Sequence, residues 1–334
     1  LWREKHPEDL IEFIGTAKGL ENQLVPAARF ELHHIPKVIL PRKISLALFI
    51  APFTIFKSFA SARQIMKGAD LLIGFGGYVS APAYLAAKSL RIPFVVHEAN
   101  AKAGFANRLG ARLSDYVAAA QATQNRSMAN ALITGIPLRA DVAAAFDNCG
   151  SDWSAARAKA KSDLGFSANA PLILAFFGSQ GSVALNKVIA ESLPTLLSQG
   201  NQLMHAVGKL NPLPAAQERY KSVAYIEDMA TAYLAADLII SRSGAISCSE
   251  ISALGRYALF IPLPIGNGEQ ELNARYLVSQ SRAEILPQKE FTSTWLTSNI
   301  KRLLTQSSTA PIAGSDIDIN AASKMVSLME HALH

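Results

Sequence analysis

The stretch that most constrains the fold is residues 236–255, ADLIISRSGAISCSEISALG. Residues 238–240 form an apolar, largely β-branched run that ends in Ser241, Arg242, Ser243 and Gly244, and a small-residue helix pattern follows. A strand, a tight glycine turn and a helix in direct succession leave backbone N–H groups unpaired at the helix start, where the helix dipole is positive. Such a corner seats phosphate. Glu250 lies about two helical turns beyond Ser243 and returns to the same face. There it either accepts from a ligand hydroxyl, as an acidic residue does on a ribose, or is a solvated helix glutamate.

The same alternation recurs in two runs. In the first, an apolar run at 69–73 ends at Gly74, Gly76, Gly77 and Tyr78, a helix pattern covers 81–89, and a buried strand at 92–96 closes on His97, Glu98 and Asn100. A strand signal returns at 117–120, and residues 133–139 read as a strand end with a turn. Residues 147–170 are polar, alanine-rich and poor in strand signals, which suits a segment joining two domains. The second run places strands at 172–177, 203–207, 223–226, 238–240 and 258–262, the first of them followed by Gly178, Ser179, Gln180 and Gly181. Two successive α/β domains, each with its own parallel sheet, are the simplest account. Residues 11–14 are strand-like as well, but no glycine loop precedes them, so a first strand and its loop are expected to be missing. Gly74 and Gly76 after a strand, with Glu98 near the end of the next, imitate a dinucleotide fingerprint, yet Val79 stands where the third glycine belongs.

Half of the 334 residues are hydrophobic and 17% are charged, which excludes a disordered chain. A net charge of +6 and a pI near 9.3 point to an anionic partner: a nucleotide, or an acidic membrane surface. No basic run is interleaved with aromatics, and no nucleic-acid partner is expected. Cys149 and Cys248 are too few for a disulfide framework, so a reducing cytoplasm is the default. The first residues lack the apolar stretch of a signal peptide, and no segment reaches the ~18 apolar residues of a membrane span. The nearest approach is 44–56, ISLALFIAPFTIF, flanked by Lys37, Arg42 and Lys43 on one side and Lys57, Arg63 and Lys67 on the other. It reads as a helix lying on anionic lipid, or as a core helix with basic ends.

The second run carries the chemistry. Ser179 and the N–H groups around Gly178 and Gly181 can cradle one phosphate, and the helix start at Ser243, Gly244 and Ala245 can hold the same pyrophosphate from the other side. Arg139 can add a charge-assisted bond. The loop at 264–273, PIGNGEQELN, is dense in side-chain amides and carboxylates, which is how proteins grip sugar hydroxyls. The combination calls for a nucleotide-sugar.

The blocks GFGGYVSAP, HEANAKAGFANRL, TGIPLR, FGSQGSVALN, YIEDM, ADLIISRSGAISCSE and EQELNA, with FIGTAKGLENQLVP near the start, cover nearly the whole chain. In order and spacing they resemble the MurG family, peripheral membrane glycosyltransferases of peptidoglycan synthesis. The resemblance implies an α/β GT-B fold of two Rossmann-like domains with parallel sheets facing across a cleft. Residues 1–138 would form the acceptor- and membrane-facing domain, with a returning C-terminal helix at 318–334, and residues 139–317 the UDP-sugar domain. The implied reaction is inverting transfer of N-acetylglucosamine from UDP-GlcNAc to lipid I, undecaprenyl-pyrophosphoryl-MurNAc-pentapeptide, giving lipid II at the cytoplasmic face of the membrane without a cofactor.

Carried over by position, the family's donor site puts uracil against Ile226 and near Met229, ribose on Glu250, and pyrophosphate on Ser179, Arg139, Ile246 and Ser247. Its sugar-reading residues fall on Glu269, Gln270 and Asn273. The acceptor side falls on Gly76, Gly77, Tyr78, Asn100 and Asn107, with Glu98 or His97 as the proton acceptor. No metal is expected, since no carboxylate pair has the spacing of a Mg²⁺ site. The family's first glycine loop, GGTGGH, is absent because the chain starts after it. Ala99, Ile136, Phe177 and Glu269 replace the family's usual glutamine, asparagine, glycine, and glutamine or histidine. Of these, Phe177 would crowd the phosphate loop and Glu269 would alter sugar choice. Two other readings stand beside it: a UDP-GlcNAc 2-epimerase, which would share the nucleotide site, and an inactive membrane-docked fragment.

Overall fold

The protein is described by a computed structural model over residues 1–38, 46–150, 152–265 and 268–334, with side chains throughout except at 46–51. Ile44, Ser45, Arg42, Lys43, Gly266 and Asn267 therefore lie outside the described residues. The chain divides into two compact units, one of Leu1–Gly135 with Asn320–His334 and one of Ile136–Ile319.

In the first unit β1 (Glu12–Gly15) pairs in parallel with β2 (Glu31–His34), and β3 (Leu72–Gly74), β4 (Phe94–Glu98), β5 (Tyr116–Ala119) and β6 (Leu132–Ile133) form a second parallel sheet in that order. β4 is buried along its whole length, as a strand covered on both faces must be. On one side Phe94 and Val96 pack with Tyr84 and with Ala62 and Met66; on the other Val95 and Ala118 pack against Met325 and Ala332 of the helix Ala321–Leu333. Tyr84 also explains two glycines. A Cβ at Gly74 would come within 2.2 Å of its hydroxyl, and one at Gly110 within 2.6 Å of its ring. Gly74 thus makes room for a core tyrosine, which accounts for the imitation of a dinucleotide loop.

The second unit holds one six-stranded parallel sheet built from β7 (Leu172–Phe176), β8 (Gln202–Ala206), β9 (Tyr220–Val223), β10 (Leu238–Ser241), β11 (Ala258–Phe260) and β12 (Ala283–Ile285). Their spatial order is β12-β11-β10-β7-β8-β9. Alternation along β7 sends Leu172, Leu174 and Phe176 into one core and Ile173, Ala175 and Phe177 into the other. Between β7 and β10, paired from Leu238↔Ile173 to Ser241↔Phe176, the chain reverses its direction of travel across the sheet. That junction is the switch point where open α/β sheets bind ligands.

Three expectations change. Residues 147–170 do not join the units: the helix Trp153–Asp163 lies within the second, where Trp153 packs edge-on against Phe146, 5.6 Å between centroids. The strand expected at 223–226 sits at 220–223, because Tyr220 supplies the buried residue and 224–228 turn into the helix Met229–Ala235. Phe177 does not crowd the phosphate loop, since its side chain is buried beside Leu185 and Ile189.

Candidate active site

In the second unit the candidate donor residues collect at the carboxyl ends of the parallel strands. After β7, Gly178 and Gly181 both take positive φ, +85° and +72°. Gly181 has no alternative: a Cβ there would lie 1.8 Å from the Val207 carbonyl oxygen. Asn211 donates to the Gln180 carbonyl at 2.7 Å and the Lys209 N–H to the Ser179 carbonyl at 3.1 Å, so the loop bearing Ser179 is pinned from below.

After β10, Gly244 is the N-cap of the helix Ala245–Ala253 and supplies no side-chain cap. Elsewhere in the unit Asp152, Asp228 and Thr292 cap their helices through side-chain oxygens, whereas the helices that start after Arg139, Ser182 and Gly268 have no side-chain cap either. The N–H groups of Ala245, Ile246 and Ser247 thus have no intrahelical acceptor, Ile246 is exposed and Ser247 half-buried. Ser243 is fully buried and its hydroxyl has no partner. These donors and the β7 loop suit a pyrophosphate between them.

Glu250 and Arg139, assigned to ribose and pyrophosphate, meet each other. Arg139 Nε and Nη2 donate to the two carboxylate oxygens at 2.7 and 3.1 Å, and the Tyr233 hydroxyl donates to the same carboxylate at 3.1 Å. Glu250 is 2% exposed, which removes the solvated-glutamate reading. Burial works against the Arg139 charge, but the hydrogen bond and charge of Glu250 outweigh it and hold the guanidinium above its ordinary range. Burial, and then the neighbouring carboxylate, push Tyr233 well up, so its hydroxyl stays a donor. A carboxylate has about four acceptor directions and a guanidinium five donors, so this geometry leaves one direction on Glu250 for a hydroxyl and orients the Arg139 fork. Tyr233 was missed in the sequence because a tyrosine on a helix of apolar pattern reads as core.

The remaining donor-side residues frame this seat. Ile226 and Met229 are buried at the turn after β9, where Asp228 caps the next helix through Thr231 N–H at 2.9 Å. Asn273 is buried and donates to the Ser243 carbonyl at 3.3 Å, tying the helix Glu269–Ser279 to the β10 turn. Gln270 Oε1 accepts from the Leu263 N–H at 2.9 Å, and Glu269 is half-buried in the first turn of that helix.

In the first unit Glu98 is buried at the end of β4 and accepts four hydrogen bonds. They come from the Asn100 N–H (2.9 Å) and Nδ2 (3.0 Å), the Gly104 N–H (3.0 Å) and Asn107 Nδ2 (3.0 Å). Asn107 also donates to the His97 carbonyl at 3.0 Å and accepts from Tyr84 at 2.8 Å. His97 Nε2 lies 2.9 Å from the Gly135 carbonyl, which can only accept, so that nitrogen carries a hydrogen. Gly76 and Gly77 take φ of +87° and +85°, and Tyr78 stands exposed with Lys37 4.4 Å over its ring. Among the described residues the group able to converge on a metal ion is Glu12, Glu31 and His33 on β1 and β2, outside these loops.

Two Rossmann-like units of this kind, each carrying its polar loops at the carboxyl ends of parallel strands, make up the GT-B fold. The chain belongs to glycosyltransferase family 28: its N-terminal domain matches at residues 5–119 and its C-terminal domain at residues 172–331. Within that family it falls with MurG. The UDP-N-acetylglucosamine--N-acetylmuramyl-(pentapeptide) pyrophosphoryl-undecaprenol N-acetylglucosamine transferase of Corynebacterium efficiens is 45% identical over 87% of this chain and 79% of its own length. The protein of the same name from Paenarthrobacter aurescens is 40% identical over 92% of this chain and 82% of its own. The crystal structure of Acinetobacter baumannii MurG superposes with a TM-score of 0.71 at 27% identity, covering 98% of this chain and 93% of that one. A UDP-GlcNAc 2-epimerase from Neisseria meningitidis, at 15% identity and a TM-score of 0.57 over 98% of this chain and 93% of that one, shares the fold alone.

Proposed function

We propose that this protein transfers N-acetylglucosamine from UDP-GlcNAc to lipid I, forming lipid II in peptidoglycan synthesis. The observation that carries the reading is the uncapped helix start at Gly244 beside the Gly178–Gly181 loop, with buried Glu250 oriented by Arg139, in a member of this family. In an inverting transfer the acceptor hydroxyl attacks the anomeric carbon as UDP departs. The pyrophosphate gains charge as that bond breaks, and preorganised N–H groups and a guanidinium stabilise it without reorganising. Glu250 takes a ribose hydroxyl, Ile226 and Met229 border the uracil, and Glu269, Gln270 and Asn273 read the sugar.

The acceptor-side cluster of Gly76, Gly77, Tyr78, Asn100 and Asn107 shapes the loops that receive lipid I. Proton removal falls to Glu98 or His97. Glu98 can accept a proton only by giving up one of its four donors. Lipid II formed from UDP-GlcNAc and a lipid I analogue is the direct test, with UDP-GlcNAc alone as control; epimerised sugar and no transfer would overturn the reading. Glu98→Gln is expected to lower kcat about 10²-fold or more with UDP affinity retained, and unchanged transfer removes Glu98 as the base.

Lipid I is anchored in a bilayer, and no described helix is long and apolar enough to cross one. The helix Leu46–Ile65 exposes Phe53 and Phe56 next to Lys57, with Arg63 and Lys67 following. This face docks on anionic lipid at the cytoplasmic side of the membrane. Co-sedimentation with anionic vesicles should weaken as salt is raised, and binding indifferent to salt would sink the electrostatic part of the proposal.

A further inference from the structure

At the end of the second unit's sheet opposite to the donor loops, a cavity of about 310 Å³ opens where the chain enters its central strands. Pro171 and Asp237 immediately precede β7 and β10, and Arg256 stands just before β11. Three cations line it, Arg157, Lys161 and Arg256, against one carboxylate, Asp237. That carboxylate is already engaged by Lys161 at 2.6 Å and by the Leu172 N–H at 2.7 Å.

Arg256 is 3% exposed, and only its Nη2 is used, on the Ala236 carbonyl; Nε and Nη1 have no partner. Arg157 spends Nη2 on the carbonyls of Gly255 and Ile312, at 2.8 and 2.7 Å, and its Nε is also unpartnered. Burial, and then the like charge of Arg157, push Arg256 down to about 9, as befits a guanidinium short of counter-charge. Protein atoms seal those unpartnered nitrogens, so the buried charge behind the cavity wall is costly unless a counter-charge sits in the cavity itself. The space exceeds the ~30 Å³ of a single water several times over.

We propose that this cavity binds a phosphate-class oxyanion, inorganic phosphate or the phosphate of an ester, on Arg256, Arg157 and Lys161. Its charge balances the surplus of cations around the cavity. The site is separate from the nucleotide seat, lying at the amino ends of the same strands whose carboxyl ends carry the donor loops.

The test is calorimetric titration of inorganic phosphate into the full chain, with and without saturating UDP. Ser308 is exposed at the cavity rim on the helix Ser293–Thr309, where Ser308→Glu places a competing carboxylate without touching the core. Saturable binding that persists with UDP, falls about tenfold or more in Ser308→Glu, and survives in Ser308→Gln and Arg139→Gln is expected. No saturable binding overturns the proposal. So does binding lost in Arg139→Gln but kept in Ser308→Glu, which would place the phosphate in the donor seat. Co-sedimentation with phosphatidate vesicles separates the sources: a drop caused by Ser308→Glu assigns a lipid headgroup, and no drop assigns a soluble phosphate.

Discussion

At the scale of single residues the Arg139–Glu250–Tyr233 contact governs both binding and stability. Glu250→Gln keeps the shape but puts an amide N–H against a donor, so UDP affinity should fall about tenfold or more by calorimetry. Arg139→Gln leaves a buried carboxylate without its cation and should lower unfolding free energy by about 2 kcal/mol, discounted from a fully buried pair because Arg139 is partly exposed. If UDP affinity fell in neither variant, the ribose and pyrophosphate roles would be lost together. Little of this was legible beforehand. The phosphate seat follows from a glycine after an apolar run, a local signal, but Arg139 and Glu250 are 111 positions apart and nothing local pairs them. Gly74 was ambiguous for the same reason, since the ring it accommodates belongs to Tyr84 on the next helix.

At the scale of elements, β7 and β10 could be read directly because both faces of each are buried and their sequences are continuous apolar runs. β2 and β12 could not, being short edge strands of mixed polarity, ELHH and AEI. β8 holds a further consequence. His205 is buried between Tyr220 of β9, 3.3 Å from Nδ1, and Asn186 of the helix Val183–Ser198, 3.1 Å from Nε2. Burial pushes it from the ordinary 6.5 down to about 4. The folded form therefore resists protonation while the unfolded chain takes a proton below 6.5. Stability is full above that value and is lost as pH falls towards 4, by up to about 3 kcal/mol. Urea midpoints measured across that window should decline in the native protein and decline less in His205→Gln; equal slopes would remove His205 as the cause.

At the scale of the whole molecule, the helix Ala321–Leu333 follows the second unit in sequence yet packs in the first, burying Met325, Val326 and Ala332. Deleting 321–334 should expose Val95 and Ala118, so hydrogen exchange should quicken in the first unit while β7 and β10 keep their protection. Uniform loss across both units would show that their stabilities are not separable. Two parallel α/β domains were legible at this scale because two runs of strand, loop and helix can be counted along the chain, whereas the GT-B class came from the family resemblance. The return of residues 320–334 to the first unit has a consequence in time. A ribosome delivers the second unit whole before it releases the helix that seals β4 and β5 of the first. The part made earliest is thus the last to be finished, and nascent chains should show a protease-resistant second unit first.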